Sequence, residues 1–219
     1  MLQVPRTRYG DDLIEELGRK GARQLVLLGA GMDTRAFRLD SLRNWTVFEV
    51  DLQETFAVKE PLLAGQQLRC NRRTLVAADL STTSSSALIK QLYDAGYEKD
   101  VPAVFLLEGL VMYLDHATTL RVINSLSELA APGSLVFHDA ISATYLEAGI
   151  AVHGAPFIGG SDDYAALWGA HFDTTVLDMS SSVRVDRQQR TLVVNRRDIA
   201  TPARVRGRNV VLFVESRRK

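Results

Sequence analysis

Several features that define other classes of protein are scarce in this sequence. One cysteine, Cys70, stands among 219 residues, which excludes an intrachain disulfide and is typical of a reducing compartment. No apolar run is long enough to span a membrane, and the first residues lack the apolar core of a signal peptide. We therefore expect a cytoplasmic protein with no membrane partner.

Neither sign of charge is in excess, since 26 Lys and Arg residues balance 26 Asp and Glu residues. The balance hides an asymmetry, because eleven basic residues face three acidic ones between Arg184 and Lys219. A basic end can contact nucleic acid, but no nucleic-acid motif or row of stacking aromatics accompanies it. We interpret this end as a β region whose exposed edges are protected by charge, and we expect no nucleic-acid partner.

Metal-binding patterns are missing as well. The four histidines, His116, His138, His153 and His171, have no close spacing to one another or to Cys70, so we predict no metal site. A lone histidine of this kind is more often structural than functional.

What the sequence does contain is one stretch that organises the rest of the chain. A short apolar run, Gln24–Leu28, ends at a Gly-Ala-Gly sequence. Its two glycines, Gly29 and Gly31, permit a sharp turn and let the backbone approach a ligand closely. The acids Glu49 and Asp51 follow Gly29 by 20 and 22 positions. This is the spacing of a βαβ unit whose acidic tip holds ribose hydroxyls, so the stretch predicts a nucleoside-cofactor site.

The residues after the turn favour one class of cofactor. A pyrophosphate-binding fingerprint needs a third glycine, and Thr34 stands in that place. Asp33 adds negative charge where a pyrophosphate would sit. A cofactor without phosphate fits better, and S-adenosylmethionine is the common one.

Strands and helices alternate five times, which predicts a doubly wound, mostly parallel α/β sheet. The predicted strands are Gln24–Leu28, Trp45–Val50, Arg73–Ala78, Pro102–Leu107 and Leu135–His138. The predicted helices are Asp11–Lys20, one following the glycine turn from Met32, Leu52–Ala64 with Pro61 bending or ending it, one through about Ala95, and His116–Ala131.

Beyond Ile141 the patterns are weaker. We predict a helix over Tyr164–Ala170, a strand over Thr174–Met179 and a final, antiparallel strand over Asn209–Glu215. Val183–Ile199 fits either a hairpin or a helix. Length and composition suit a single domain, with a cofactor-binding core over 1–141 and a substrate-side and C-terminal β region over 142–219.

Acidic residues follow three of the predicted strands. Asp51, with Glu49 just before it, follows the second strand, Asp79 the third and Glu108 the fourth. Because the carboxyl ends of parallel strands meet at one edge of an open α/β sheet, where such sheets bind their ligands, these acids predict one shared site.

Four blocks of the sequence also resemble a known family. LGAGMDTRAFRL, FEVDLQETFAVK, AADL and LLEGLVMYL, in this order, are similar to the leucine carboxyl methyltransferase family, which includes many bacterial S-adenosylmethionine-dependent O-methyltransferases. The resemblance runs from about Arg6 to Asp139. It implies a Rossmann-like class I methyltransferase fold.

The resemblance also implies roles for residues around the cofactor's methionine. Arg6 corresponds to the arginine that pairs with the methionine carboxylate, a contact that suits a planar guanidinium. Gly29 and Gly31 would line the methionine and ribose, and Glu108 would orient the methionine amino group.

Further roles concern the nucleoside and the substrate. Asp51 would accept the ribose hydroxyls, with Glu49 as a supporting second choice. Asp79 would accept from the adenine amino group, and Leu80 would pack against the adenine ring. Tyr113, shortly after Glu108, is a hypothetical substrate-pocket residue.

The chain departs from the family pattern in two places. Only five residues precede Arg6, whereas members carry a substantial helical segment that forms part of a lid over the site. Gly10 also replaces the bulky apolar residue usual before Asp11. Two interpretations stay open, a fragment of a longer chain or a naturally short version with an open site. In either case we expect cofactor binding to be retained and the substrate to be less enclosed.

These observations predict an S-adenosylmethionine-dependent O-methyltransferase acting on a carboxylate of a small molecule or of a peptide C-terminus. A carboxylate acceptor is ionised at neutral pH and needs no general base, so we assign no catalytic residue. A hydroxyl acceptor would need one, and His138 and His153 are the nearest candidates. The alternatives are a truncated, non-catalytic module that binds cofactor or protein, and a nicotinamide-dependent oxidoreductase. The sequence gives no oligomeric state.

Overall fold

The computed structural model describes residues 3–152, 154–186, 191–194 and 200–219. Within these ranges the chain forms a central sheet of seven strands with helices against both faces. The strands are β1 (Gln24–Leu28), β2 (Thr46–Asp51), β3 (Arg72–Ala77), β4 (Ala103–Leu107), β5 (Leu135–Ile141), β6 (Ala151–Val152), β7 (Ala155–Pro156), β8 (Phe172–Asp178), β9 (Val183–Asp186), β10 (Thr191–Val194) and β11 (Val211–Arg218). The helices are α1 (Gln3–Arg19), α2 (Arg35–Arg38), α3 (Gln53–Leu62), α4 (Ser85–Asp94), α5 (His116–Leu129), α6 (Ala143–Glu147), α7 (Tyr164–Trp168), α8 (Met179–Ser182) and α9 (Pro202–Val205).

The order of strands in the large sheet is β3-β2-β1-β4-β5-β11-β8. The first five strands are parallel, and β11 runs antiparallel between β5 and β8. The predicted doubly wound α/β sheet with an antiparallel final strand is therefore confirmed. Strand β1 pairs with β2 on one side and β4 on the other, so the order reverses beside it. This topological switch point is where open α/β sheets leave a crevice for a ligand.

The central strands are apolar because both of their faces are covered. Every residue of β1 and of β4 is buried, as parallel strands between two helical layers must be. Two hydrophobic clusters lie on opposite faces of the sheet, one around Phe48 and Phe105 and the other around Leu25 and Phe137. The sheet is thus a rigid support for the loops at its carboxyl edge.

Helix α1 begins at Gln3, eight residues before the predicted start. Sequence propensity favours the later start because Pro5 and Gly10 both disfavour a helix interior. Tertiary packing overrides that preference, since Tyr9 and Leu13 are buried against the sheet. The longer helix places Arg6 at the carboxyl edge.

Other boundaries also move. The helix after the glycine turn is a single turn, α2, and Thr34 at its N-cap makes no side-chain hydrogen bond. Asp33 accepts from the Arg35 N–H instead, at 2.7 Å. Pro61 is the last residue but one of α3, consistent with its predicted effect.

The region 183–199 was left open between a hairpin and a helix. Val183–Asp186 and Thr191–Val194 pair as an antiparallel hairpin; residues 187–190 and 195–199 lie outside the described residues. No helix in the described ranges is long and apolar enough to cross a membrane.

Candidate functional site

A cleft of about 360 Å³ opens at the carboxyl ends of β1 and β4. The turn after β1 forms its floor, and residues from α1, from the segment leading into α2 and from the end of β4 form its walls. The polar lining comprises Arg6, Thr7, Asp33, Thr34, Arg35, Arg38 and Glu108. Of the predicted site residues, Arg6, Gly29, Gly31 and Glu108 line this cleft at the switch point of the sheet, whereas Asp51, Asp79 and Leu80 are not among its lining residues.

The turn after β1 has the conformation that its glycines permit. Gly29 and Gly31 have φ angles of 66° and 44°, a region that other residues avoid. A Cβ atom on Gly29 would lie 3.1 Å from Cδ1 of Leu110. The Gly31 N–H donates to Oδ2 of Asp51 at 2.7 Å, which ties the turn to the end of β2. The backbone itself is thus exposed to the cleft.

Arg35 connects several of the segments that form the site. Its side chain is 1% exposed and its guanidinium donates to Asp11, Asp33 and Glu108. Nη2 also donates to the Thr7 carbonyl at 2.9 Å, so the same residue fastens α1 to the cleft. Burial disfavours the charged guanidinium, but the three carboxylates outweigh burial and raise its pKa above the ordinary value.

Glu108 presents a carboxylate at the end of β4. Oε1 and Oε2 accept from Nη2 and Nη1 of Arg35 at 2.9 and 3.0 Å. Burial raises the pKa of Glu108, and the Arg35 charge opposes that rise. A Cβ atom on Gly10 would lie 2.5 Å from Glu108 Oε1 and 2.8 Å from Arg35 Nη2. The glycine noted as a departure from the family pattern therefore makes room for this pair.

Arg6 lines the cleft beside Gly109, the residue that follows Glu108. Its Nη1 donates to Oδ2 of Asp139, in the second half of β5, at 2.8 Å. Its Nε is buried and has no hydrogen-bond partner among the described residues. A buried donor without a partner costs about 1–3 kcal/mol. The orphaned atom is the feature that a ligand carboxylate would satisfy.

Asp51 and Asp79 lie at neighbouring strand ends, as predicted. Oδ1 of Asp51 accepts from the Leu52 N–H at 2.7 Å, in addition to the bond from Gly31. Asp79 is exposed, and hydrogen bonds from Ser81 lower its pKa. Leu80 beside it is buried and belongs to the core.

The structure does not bring Glu49 to the cleft. Its side chain is fully buried, two residues before Asp51 in β2. There its Oε2 accepts from Lys59 at 2.7 Å. Arg73 donates to the same carboxylate at 2.7–2.8 Å. Both oxygens are thus engaged inside the protein, and Glu49 has the position of a structural ion-pair residue.

Tyr113 is half-buried on the turn that follows β4 and is not among the cleft-lining residues. Its ring packs edge-on against Phe157 at 5.2 Å. The role expected of it stays a prediction.

His138 is a buried residue of β5. Trp168 Nε1 donates to its Nε2 at 3.1 Å, and burial lowers its pKa to about 4. Its lone pair on Nε2 is therefore used inside the core. His153 lies outside the described residues.

Arg35 and Asp139 are among the residues at the site that carried no predicted role. Arg35 belongs to the LGAGMDTRAFRL block, but the sequence does not show that its side chain is buried among carboxylates. Asp139 marks a predicted strand end, but its partner Arg6 is 133 positions away. In the described ranges, no group of three or more His, Cys, Asp or Glu residues could hold a metal ion.

Comparison with known proteins decides the family. The sequence profile described as "Leucine carboxyl methyltransferase" matches residues 1–127, more than half of the chain. The chain belongs to the leucine carboxyl methyltransferase family. The family predicted from the four sequence blocks is thereby confirmed.

Several bacterial relatives carry the name S-adenosyl-L-methionine-dependent methyltransferase as an unproven assignment. A protein of Mycolicibacterium smegmatis is 41% identical over 131 residues, covering 59% of this chain and 42% of its own. One of Saccharopolyspora erythraea is 34% identical over 165 residues, covering 75% of this chain and 53% of its own. The chain thus spans about half the length of the curated relatives it matches.

Solved structures show the same fold at low sequence identity. A DUF574 family protein of Streptomyces avermitilis superposes with a TM-score of 0.68 at 13% identity, over 98% of this chain and 83% of that one. The glycopeptide N-methyltransferase MtfA, complexed with S-adenosyl-L-homocysteine, gives a TM-score of 0.56 at 16% identity, over 96% and 90%. This leucine carboxyl methyltransferase family chain therefore has the class I methyltransferase architecture.

Proposed function

We propose that the chain binds S-adenosylmethionine in the cleft between β1 and β4 and transfers its methyl group to a carboxylate oxygen of an acceptor. The observation that carries the proposal is that the cationic Arg6 and the anionic Glu108 lie close together in the lining of this cleft. Arg6 offers a buried, unpartnered Nε, and Glu108 offers a carboxylate. An amino acid end, with one carboxylate and one ammonium, matches these two groups.

The glycine turn and the strand ends beside the cleft fit a nucleoside. The glycine turn exposes its backbone, and Asp51 keeps lone pairs beyond those used by Gly31 and Leu52 to accept ribose hydroxyls. Met32 and Leu52 are 54% and 44% exposed near this edge, so apolar surface is available to a base. Asp79, at the next strand end, would accept from an adenine amino group.

A sulfonium cofactor supplies an activated methyl group, so the protein's task is to align the acceptor and exclude water. A carboxylate acceptor has a reference pKa of about 4 and is ionised without help. This agrees with His138, whose Nε2 is occupied by Trp168 and whose protonation is opposed by burial. O-methylation of a carboxylate therefore needs no proton acceptor from the protein.

Calorimetric titration of the purified chain with S-adenosyl-L-homocysteine, and with NAD as a comparison, tests cofactor recognition. We expect a one-to-one heat with the first compound and none with the second. Methyl transfer from labelled S-adenosylmethionine to a panel of carboxylic acids and peptides then tests the reaction. Selective binding without transfer to any acceptor would favour the non-catalytic module, and selective binding of NAD would overturn the proposal.

A further inference from the structure

Arg6 is paired with Asp139, a second carboxylate that lies in none of the four sequence blocks. Asp139 is 4% exposed and accepts from two groups at once. Its Oδ2 accepts from Arg6 Nη1 at 2.8 Å, and its Oδ1 accepts from the Gly109 N–H at 2.6 Å. The backbone hydrogen bond fixes the carboxylate, and the carboxylate fixes one end of the guanidinium.

We propose that Asp139 is a positioning residue that turns the Nε–Nη2 edge of Arg6 toward the carboxylate of the bound cofactor. This inference rests on the proposed function. A guanidinium binds a carboxylate with two parallel hydrogen bonds along one edge. Asp139 occupies Nη1, at the other end of the group, and Nε is the atom left without a partner. The occupied and free positions are therefore complementary.

The backbone around Gly109 supports this reading. Gly109 has a φ angle of 69°, and a Cβ atom there would lie 3.1 Å from Nη1 of Arg6. The close approach lets one short segment carry Glu108 into the cleft and hold Asp139 through its N–H group. Both ends of an amino acid group would thus be recognised through residues 108 and 109.

The negative charge of Asp139 also has an effect that opposes cofactor binding. A fixed negative charge near Arg6 repels an incoming carboxylate, so Asp139 could act as a competitor. The amino acid end of the cofactor is a zwitterion, however, and the repulsion of its carboxylate is offset by attraction of its ammonium. Arginine has a large side-chain entropy, which an anchored Arg6 does not lose again on binding. We therefore expect the gain from orientation to exceed the repulsion, and the affinities measured below decide between them.

The test compares two nucleosides that differ in the amino acid end. S-Adenosyl-L-homocysteine has it, and 5′-methylthioadenosine does not. In Asp139→Asn the Gly109 contact can persist while the charge on the Arg6 partner is lost. We expect this variant to bind S-adenosyl-L-homocysteine about 10-fold more weakly, the size of one charge-assisted hydrogen bond, and to bind 5′-methylthioadenosine as the wild type does.

Two further variants complete the experiment. Asp178→Asn removes another buried carboxylate, which accepts from the Ser180 N–H at 2.9 Å at the end of β8 and should leave both affinities unchanged. In an Arg6→Gln background, Asp139→Asn should add no further loss, because the two residues act as a unit.

Each remaining outcome contradicts the proposal in its own way. Equal losses for the two nucleosides in Asp139→Asn would mean that Asp139 only supports the fold. Unchanged or tighter binding of S-adenosyl-L-homocysteine would make Asp139 a competitor. A wild-type chain that binds neither nucleoside would overturn the proposed function itself, and this inference with it.

Discussion

Arg35 and Glu108 form a two-point ion pair across 73 positions of sequence, with N–O distances of 2.9 and 3.0 Å. The pair joins the glycine-turn segment to the end of β4 on either side of the switch point. Thr7 and Asp11 of α1 contact the same guanidinium. The three segments that shape the cleft are therefore fastened by one buried side chain.

Replacing Gly10 tests the room that this pair requires. An Ala in a helix interior is ordinarily more favourable than Gly by about 0.5–1 kcal/mol. Gly10→Ala should instead lower the free energy of unfolding, because its Cβ would lie 2.5 Å from Glu108 Oε1. Chemical denaturation measures the change, and calorimetry should show weaker S-adenosyl-L-homocysteine binding.

Gly18→Ala in the same helix provides the comparison. Its Cβ would lie 3.1 Å from Cζ2 of Trp45, which a small shift relieves, and Gly18 lies away from the cleft. Its loss of stability should be smaller and its effect on binding negligible. A stabilising Gly10→Ala with unchanged binding would show that the pair tolerates the added methyl group.

Glu49 and Asp51 are expected to separate stability from binding. Glu49→Gln removes a buried charge shared by Lys59 and Arg73, and breaking a buried pair costs about 3–5 kcal/mol. Nucleoside affinity should survive in the fraction that stays folded. Asp51→Ala should weaken S-adenosyl-L-homocysteine binding by about 1–3 kcal/mol, the cost of unpairing a buried polar group.

Thermal unfolding and calorimetry on both variants make the comparison. Equal loss of affinity in the two would mean that Glu49 reaches the ligand, as first expected from its spacing. Full affinity in Asp51→Ala would remove the ribose contact from the account.

His138 should make the protein less stable in mild acid. Burial lowers its pKa from 6.5 to about 4 in the folded state. The unfolded chain therefore binds the proton more readily, and the contribution of His138 is complete above pH 6.5 and is lost as the pH falls toward 4. A shift of this size corresponds to about 3 kcal/mol.

Denaturant unfolding between pH 4 and 7 measures this contribution. Carboxylates titrate in the lower part of the range, so the wild type is compared with His138→Gln, whose amide oxygen can still accept from Trp168 but does not titrate. The variant should have a flatter pH dependence. Parallel curves for the two proteins would show that His138 does not lose its protonation on folding.

Much of the fold could be predicted because its signals are local. The buried strands β1 and β4 are short apolar runs, and strand–helix alternation specifies a parallel sheet. The length of helix α1 was underestimated because Pro5 and Gly10 disfavour a helix locally, and its first turns are stabilised by packing against the sheet. The antiparallel pairing of β9 with β10 could not be predicted, because the residues of this region suit a helix as well as a hairpin.

The site was predictable in outline but not in depth. Period-two alternation puts Glu49 and Asp51 on the same face of β2, so sequence cannot tell which acid is exposed. Burial under α3 decides, since Lys59 reaches the inner one. The roles of Arg35 and Asp139 were not predicted because their partners, Glu108 and Arg6, are distant in sequence. Pairing of that kind leaves no local pattern.

The most direct test of the account is the affinity of Arg6→Gln for S-adenosyl-L-homocysteine, measured beside Arg8→Gln. Arg8 is the neighbouring arginine of the same helix, half-exposed and paired with Asp12 on the surface. Calorimetry should show a loss of at least about 10-fold for Arg6→Gln, because its guanidinium would hold the ligand carboxylate. Arg8→Gln should bind like the wild type. Equal affinities in both variants, or a loss confined to Arg8→Gln, would contradict the assignment of this cleft to the cofactor.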